Sequence, residues 1–289
     1  MGPPISVVVS RGDVAESRHE VHAVAVRDGR VVEAAGDPGL VAFLRSSAKP
    51  VQVLPLARET RELSGEEIAV ASASHGGGDE QLRAVRSLLA RAQASEEDLE
   101  CGAQDGSRLN HNCSGKHAAM LLLAELRGWP RGGYRLSDHP VQREIARVVA
   151  EVADVRESTL EPAIDGCGVP TYALSLERMA QMFGRLATGA IEGSERVVAA
   201  MRGHPDLLLG PVGVDVSVMK AIDGAVAKGG AEALLCVGLA DGTGMALKVM
   251  DGSWRGLGPA TGAFLGLPEL RRTPLFNSRG DEIGRISAV

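Results

Sequence analysis

The stretch ALLCVGLADGTGMALKVMDG, residues 233–252, has the pattern of two β-strands joined by a turn. Apolar runs at 233–239 and 245–250 flank the turn signal Asp-Gly-Thr-Gly, and a second Asp-Gly pair follows them. A similar pattern occurs near the start of the chain, where residues 22–33 predict a hairpin around another Asp-Gly pair. The sequence therefore predicts one antiparallel sheet built from strands at both ends of the chain.

The middle of the chain has mostly helical signals. Periodic apolar residues and capping residues predict helices at 79–92, 116–127, 139–155, 175–186 and 194–201. The apolar run at 68–73 has the pattern of a strand that ends in a glycine loop. Residues 1–45 and 228–289 are predicted to be rich in β-strands and to enclose a helical region, 46–227. The expected fold class is α+β, with 1–289 forming a single catalytic unit.

The composition is that of a globular protein. Hydrophobic residues make up 44% of the chain and charged residues 24%, which excludes a disordered protein. The net charge of −6 gives no basic surface for nucleic acid or an anionic membrane. No export signal or membrane-spanning run is predicted, and four cysteines in 289 residues do not form a disulfide scaffold. We therefore expect a cytoplasmic protein that acts on a small molecule.

Lysine is rare in this chain. Of its 31 basic residues only five are lysine, namely Lys49, Lys116, Lys220, Lys228 and Lys248. Arginine keeps its proton in proteins, whereas a buried lysine can lose its proton and act as a base. Each lysine is therefore a candidate for a role that arginine cannot fill.

The segment RSSAKP, residues 45–50, contains Ser46 and Lys49 three positions apart, so their side chains share one face of a helical turn. The proline that follows fits only the first turn of a helix, which puts Ser46 at a helix N-terminus, where backbone N–H groups stabilise an oxyanion. A neutral Lys49 could then take the proton of Ser46. The same spacing at Ser217 and Lys220 lacks a glycine-rich neighbourhood, and we interpret that pair as structural.

A second serine and a second lysine lie in glycine-rich segments. Ser74 precedes His75 and three glycines, a position that suits either a functional residue or an ordinary glycine turn. Lys228 opens the C-terminal strand pair as Lys-Gly-Gly, which is similar to the Lys-[Thr/Ser]-Gly motif of penicillin-recognising enzymes. A helix C-terminus capped by the two glycines is the alternative. If both lysines converge on one pocket, the second cation lowers the pKa of Lys49.

Two cysteines lie in unusual segments. Cys113 belongs to HNCSGKH, residues 111–117, which opens a helix, and Cys167 belongs to DGCGVP, residues 165–170. Two thiolates suit zinc, and ligand chemistry alone would complete the site with His117, four residues after Cys113. The alternative is that both are small core residues, as we expect for the two remaining cysteines.

Taken together, these segments resemble the class 3, rhizobial-type L-asparaginases, called the asparaginase II family. The matching stretches occur in order over most of the chain and are RSSAKPVQ (45–52), ASHGGG (73–78), HNCSGKHAAML (111–121), HPVQ (139–142), DGCGVPTYAL (165–174), KGGAEALLCVGL (228–239) and GMALKVMDG (244–252). The loops after His75 and Lys228 depart from the family pattern, which leaves the preference among amide substrates open.

The resemblance implies a fold similar to that of serine β-lactamases and penicillin-binding proteins, assembled as a homodimer. It also implies two serine–lysine pairs at the active site. These pairs map onto Ser46 with Lys49 and onto Ser74 with Lys228.

The resemblance further implies a zinc ion beside the active site. Its ligands map onto Cys113, Lys116 and Cys167, so that His117 becomes a substrate contact instead of a ligand. The carboxylate of Asp165 suits the α-ammonium group of an amino acid, and the guanidinium of Arg45 suits its carboxylate. The expected substrate contacts are thus Arg45, His75, His117 and Asp165.

The activity implied by the resemblance is hydrolysis of L-asparagine to L-aspartate and ammonia, with Ser46 as the nucleophile. A β-lactamase or D-alanyl peptidase is one alternative, because the Ser-x-x-Lys and Lys-Gly-Gly motifs fit both. A non-catalytic zinc-binding protein of the same fold is the other alternative.

Overall fold

A computed structural model describes residues 2–209 and 213–289. The β-strands of this part are β1 Ile5–Arg11, β2 Val14–Arg27, β3 Arg30–Ala35, β4 Val41–Phe43, β5 Glu161–Ile164, β6 Pro170–Ser175, β7 Val226–Gly230, β8 Leu234–Gly238, β9 Gly244–Val249, β10 Arg272–Phe276 and β11 Glu282–Ala288. Its α-helices are α1 Lys49–Gln52, α2 Leu54–Glu59, α3 Gly65–Ala71, α4 Asp79–Arg91, α5 Ser114–Arg127, α6 Pro140–Ala153, α7 Leu176–Ala187, α8 Ser194–Gly203, α9 Val214–Ala221 and α10 Trp254–Phe264.

Strands from both chain ends form the main sheet. Its order is β10-β11-β1-β2-β9-β8-β7, with β3 added alongside β2, and its neighbouring strands are antiparallel. At its centre the N-terminal strand β2 pairs with the C-terminal strand β9, where Val21 lies opposite Val249. The predicted α+β class with a sheet from both ends is confirmed. Strand β7 is an edge of this sheet.

The two faces of the sheet are covered by different helices. Because side chains alternate along a strand, Leu234 and Cys236 belong to the core that contains α7, whereas Leu235 and Val237 belong to the core that contains α10. Helix α7 lies so close to the sheet that a Cβ at Gly244 would stand 1.7 Å from a carbonyl oxygen of the helix. The core therefore forms on both sides of the sheet and fixes the position of its β7 edge.

Residues 68–73, which the sequence predicted as a strand, are mostly helical. They belong to α3, which begins with a capping box in which the Ser64 side chain accepts from the N–H of Glu67 and the Glu67 carboxylate accepts from the N–H of Ser64. This capping box satisfies the first donors of the helix. The strand prediction was wrong because a short apolar run suits a buried helix as well as a strand.

The region 46–227 is less purely helical than predicted. Within its described part, β5 and β6 pair with β4 in a second antiparallel sheet of order β4-β6-β5. The C-terminal region, predicted to be rich in strands, also contains α10. None of the helices in residues 2–209 and 213–289 has the length and apolar character needed to cross a lipid bilayer.

Candidate active site

A cavity of about 440 Å³ lies where the β7 edge, the start of α9 and the turn before α1 meet. Ser46, Ser74 and Lys228 all line it, although they come from separate parts of the sequence. The fourth predicted catalytic residue, Lys49, lies within hydrogen-bond distance of Ser74. A cleft of about 490 Å³ beside α4 is lined by none of these four residues. The 440 Å³ cavity is therefore the candidate active site.

Ser46 lies in the first turn of a continuous helical segment. A 3₁₀ turn over Arg45–Ala48 runs directly into α1, whose first turn contains Pro50. Arg45 has a φ of 49°, a left-handed conformation that is uncommon for a residue other than glycine. The backbone N–H of Arg45 donates to Oγ1 of Thr171 at 3.0 Å, and this bond helps to hold the unusual turn. The turn sets Ser46 on the cavity wall.

The ammonium group of Lys49 is fully buried and has three hydrogen-bond acceptors. Its Nζ lies 2.5 Å from the carbonyl oxygen of Ala73, 2.9 Å from Oγ of Ser74 and 3.3 Å from the carbonyl oxygen of Asn112. A carbonyl oxygen can only accept a hydrogen bond. A neutral Lys49, with two N–H groups and one lone pair, would therefore donate to the two carbonyl oxygens and accept from the hydroxyl of Ser74. The described hydrogen bonds of Lys49 thus involve Ser74, whereas the sequence spacing paired Lys49 with Ser46.

Burial is the largest influence on Lys49 and lowers its pKa from 10.5 to about 8. The Cys113 thiolate opposes this shift, while the cations of Lys116 and Lys228 act in the same direction as burial. About a tenth of Lys49 is therefore in the neutral form that a general base requires at pH 7, far more than for an ordinary lysine with a pKa of 10.5.

Lys228 occupies the middle of β7, as expected for a sheet edge and not for a helix C-terminus. Its Nζ lies 3.3 Å from Oδ2 of Asp215 and 3.1 Å from the carbonyl oxygen of Gly229. Asp215 is 2% exposed, lies in the first turn of α9, and also accepts from the N–H groups of Gly229 and Val216 at 3.0 and 2.9 Å. The described hydrogen bonds of Lys228 do not include the predicted one to Ser74. Its partner is Asp215, which the sequence analysis missed.

Arg45 and Asp165, both predicted to contact the substrate, form an ion pair with each other. Nε of Arg45 donates to Oδ1 of Asp165 at 2.7 Å, and the N–H of Gly166 donates to the same oxygen at 2.8 Å. Their side chains are 28% and 10% exposed, so the pair is partly accessible. The two residues lie together beside Ser46 but do not line the cavity.

His75, also predicted to contact the substrate, is 2% exposed and uses both ring nitrogens within the protein. The hydroxyl of Ser114 donates to the carbonyl oxygen of Leu109 at 2.8 Å, so it accepts from Nε2–H of His75 at 2.8 Å. Nδ1 then accepts from the N–H of Gly77 at 3.2 Å. Burial, together with the nearby Lys49, lowers the pKa of His75 to about 4. His75 is thus a neutral residue that anchors the glycine loop, and it offers no ring nitrogen to a substrate.

The three residues expected to bind zinc lie together. Nζ of Lys116 donates to Sγ of Cys167 at 3.1 Å, and the Cys113 and Cys167 sulfur groups are close enough to shift each other's pKa. The interaction with Cys167, helped by the Lys49 and Lys116 cations, holds the pKa of Cys113 well below its usual range. Burial disfavours the charged form of Lys116, but the two sulfur groups outweigh it and raise the pKa of Lys116.

Two sulfurs and one amine are donors that suit a soft metal ion such as zinc, provided that Lys116 gives up its proton. Among residues 2–209 and 213–289, no group of three or more His, Cys, Asp or Glu side chains could hold a metal ion. A site completed by His117 is therefore wrong. Nδ1 of His117 lies 2.8 Å from the hydroxyl of Tyr134, and its Nε2 is buried without a hydrogen-bond partner in the described part of the chain.

The fold and the cavity define an α+β protein in which two serines and two buried lysines meet at a sheet edge. The L-asparaginase II family matches residues 7–287, and the chain belongs to this family. No curated protein matches the chain.

Solved structures are similar to the chain at low sequence identity. The native form of Mglu has a TM-score of 0.51 and 15% identity, and the match covers 86% of this chain and 64% of that chain. EstCE1, described as a hydrolase with promiscuous acyltransferase activity, has a TM-score of 0.43 and 11% identity. The match covers 80% of this chain and 89% of the EstCE1 chain. The chain spans less than two thirds of the length of Mglu. At such identities, the likeness to Mglu concerns the fold alone.

Proposed function

We propose that this protein hydrolyses L-asparagine to L-aspartate and ammonia through an acyl-enzyme on Ser46. The observation that carries the proposal is the buried Lys49, which has a lowered pKa and contacts Ser74 at the cavity that Ser46 also lines. Membership of the L-asparaginase II family supports an amidohydrolase, and asparagine is the substrate that we assign.

In the first half-reaction, Oγ of Ser46 attacks the carbon of the side-chain amide. The proton of Ser46 passes to Oγ of Ser74, whose own proton passes to the neutral amine of Lys49. When the tetrahedral intermediate collapses, the same route returns a proton to the amide nitrogen, the C–N bond breaks and ammonia leaves. A water molecule then attacks the ester on Ser46 by the reverse path, which releases aspartate and restores the serine.

The intermediate needs donors for its oxyanion. Ser46 and Ala231 line the cavity, and neither backbone N–H has a backbone acceptor among the described turn and loop hydrogen bonds. Gly230 lets β7 approach the serine turn, because a Cβ there would lie 2.7 Å from Oγ of Ser47 and 2.8 Å from a carbonyl oxygen. We assign the N–H groups of Ser46 and Ala231 as the oxyanion donors.

The second lysine has a different role from the one that the family resemblance implies. Lys228 forms a buried ion pair with Asp215, so we assign it as a fixed cation that stabilises negative charge in the cavity. Asp215 is a positioning residue that acts through Lys228. The Arg45–Asp165 pair beside Ser46 would bind the α-amino acid group of the substrate by exchanging partners with it.

Zinc belongs to this proposal as a resident ion held by Cys113, Cys167 and the neutral amine of Lys116. When bound there, it would act as a Lewis acid and as a template that orients a substrate. Elemental analysis of the purified protein and of Cys167→Ser tests this part. We expect about one zinc per chain in the wild type and a loss in the variant. A wild type without metal, purified with zinc present, contradicts it.

The remaining implications of the family are a serine β-lactamase-like arrangement and a homodimer, and we include them in the proposal together with the cytoplasmic location that the sequence analysis predicted. The sheet with helices on both faces is compatible with such an arrangement. Light scattering on the purified protein measures the oligomeric state, and a monomer at micromolar concentration contradicts the homodimer.

The test of function compares the wild type with Ser46→Ala, Ser74→Ala and the control Ser217→Ala. Ser217 has the same Ser-x-x-Lys spacing but bonds to a backbone carbonyl in α9. Ammonia release is measured with L-asparagine and L-glutamine, and colour release with a chromogenic cephalosporin. We expect asparagine turnover in the wild type and control, and its loss in both other variants. Cephalosporin turnover without ammonia release supports the β-lactamase alternative, and inactivity on every substrate supports a non-catalytic protein.

A further inference from the structure

One wall of the candidate active site is apolar. Among the described residues that line the cavity, Leu209 and Trp254 are 40% and 51% exposed, Val214 is partly buried and Leu257 is fully buried. Large apolar side chains are common at sites where a ligand buries them, and an indole ring offers a wide contact face. This apolar wall lies in the same cavity as Ser46.

The indole of Trp254 lies against Gly229, the residue after Lys228 on β7. Two of its ring carbons stand 3.6 and 3.7 Å from the position that a Cβ would take at Gly229. The N–H of Gly229 donates to Asp215, whose carboxylate also holds Lys228. A group bound on the indole would therefore lie at the β7 edge of the sheet on the α10 face, whereas the Lys228 side chain leaves the strand on the opposite face and reaches Asp215 at the edge.

The cavity is larger than a primary amide requires. Its volume of about 440 Å³ is that of roughly fifteen water molecules at ~30 Å³ each. The Arg45–Asp165 pair, which we assign to the amino acid group, is outside the lining of the cavity. The cavity that Ser46 lines also includes Trp254. With the amino acid group on Arg45 and Asp165, outside the lining, we place the nitrogen of the scissile amide on the cavity side of Ser46.

We propose that the preferred substrates are aspartate β-amides whose nitrogen carries an apolar group, and that this group binds against Leu209 and Trp254. The inference rests on the proposed function and specifies its substrate class. The reaction balances as for asparagine: Ser46 forms the acyl bond, the C–N bond breaks, and the departing amine takes its proton from Ser74. Water then hydrolyses the acyl-enzyme, so the products are aspartate and an apolar primary amine.

The test compares kcat/KM for N4-benzyl-L-asparagine with kcat/KM for L-asparagine. We expect the wild type to prefer the benzyl amide by at least about tenfold and Trp254→Ala to lower that preference about tenfold, which corresponds to ~1.4 kcal/mol. Phe276→Ala is the matched control, because Phe276 is an aromatic residue that is 59% exposed on β10 and does not line the cavity. Its preference should stay within about twofold of the wild type.

A binding measurement keeps the test valid if Trp254→Ala does not fold. In a Ser46→Ala, Trp129→Phe background, Trp254 is the only tryptophan. We expect N4-benzyl-L-asparagine, but not L-asparagine, to shift its fluorescence to shorter wavelength, because the benzyl group excludes water from the indole.

Three results overturn the inference. Ammonia release from asparagine with no preference for the benzyl amide overturns it and leaves the proposed function standing. If Trp254→Ala keeps the preference for the benzyl amide but changes the oligomeric mass, the inference is wrong. The apolar wall then contacts a second copy of the chain. Inactivity on both amides contradicts the proposed function itself.

Discussion

Two buried lysines lie at the cavity, Lys49 behind Ser74 on the helical wall and Lys228 in the lining of the sheet wall, and they have different partners. On the helical wall, Lys49 is held by two carbonyl oxygens and the hydroxyl of Ser74. On the sheet wall, Lys228 is held by the carboxylate of Asp215 and one carbonyl oxygen. Neutral acceptors do not compensate the charge of a desolvated ammonium group, whereas a carboxylate does.

This difference assigns opposite proton roles to the same residue type. Lys49 has a lowered pKa and its Nζ lies 2.9 Å from the hydroxyl of Ser74, so it suits a base. Lys228 has a buried counter-ion, so it suits a permanent cation. The resemblance to the family implied two serine–lysine pairs, Ser46 with Lys49 and Ser74 with Lys228. The contacts instead pair Lys49 with Ser74 and Lys228 with Asp215.

The largest expected effect comes from replacing each lysine by arginine. Arginine keeps a positive charge but cannot release its proton, so Lys49→Arg should lower kcat/KM about 10³-fold. Lys228→Arg keeps the cation and should cost only about tenfold, from altered geometry. The measurement is steady-state kinetics with the best amide substrate. Equal losses of kcat/KM in the two variants would contradict the different roles assigned to Lys49 and Lys228.

The next effect concerns the stability of the sheet wall. Asp215→Asn leaves the buried Lys228 ammonium without its carboxylate and should lower the free energy of unfolding by about 3–5 kcal/mol. Asp206→Asn is the matched control, because Asp206 pairs with Lys220 at the surface and should change stability by less than about 1 kcal/mol. Urea unfolding measures both. A Lys228→Met, Asp215→Asn double variant should recover part of the loss, because it removes the unpaired charge.

The helical wall predicts a pH dependence. The neutral form of Lys49 is the active form, and its pKa is about 8. The kcat/KM should therefore rise about tenfold per pH unit below this value and level off above it. Because the folded pKa lies below the ordinary value of 10.5, the unfolded chain binds more protons between about 8 and 10.5. This residue thus makes the free energy of unfolding rise with pH in that range. A flat profile of kcat/KM contradicts the assignment.

The smallest effect is expected at the second Ser-x-x-Lys match. Lys220 is half exposed and pairs with Asp206 outside the cavity. Lys220→Met should leave kcat/KM within about twofold of the wild type, as measured in the same assay. A large loss of kcat/KM in Lys220→Met would contradict the structural role that we assign to the Ser217–Lys220 pair.

Local patterns in the sequence predicted much of the fold. The hairpin around Asp28-Gly29 was predicted as observed, because its turn chemistry is encoded within a few residues. Helix α5 ends at Gly128, whose φ of 64° is the left-handed cap expected there. The apolar run 68–73 was misassigned, although the capping box at Ser64 and Glu67 was a readable signal for a helix start.

The candidate site was less predictable than the fold. Motifs identified Ser46, Ser74 and the lysines, but their pairing depends on contacts between residues that are far apart in the sequence. Lys49 and Ser74 are 25 positions apart, and Asp215 and Lys228 are 13 positions apart on different elements. A single aspartate in an apolar run such as Val214–Ala221 gives no signal of its own, because only the packing of α9 against β7 brings it to the lysine.

The most direct test of the division of roles is a ¹⁵N NMR titration of the lysine Nζ groups, which is practical because the chain has only five lysines. We predict that one signal titrates with a midpoint near 8 and is missing from the spectrum of Lys49→Met. The account is contradicted if every lysine keeps its proton up to a pH of about 10, or if the early titration persists in Lys49→Met.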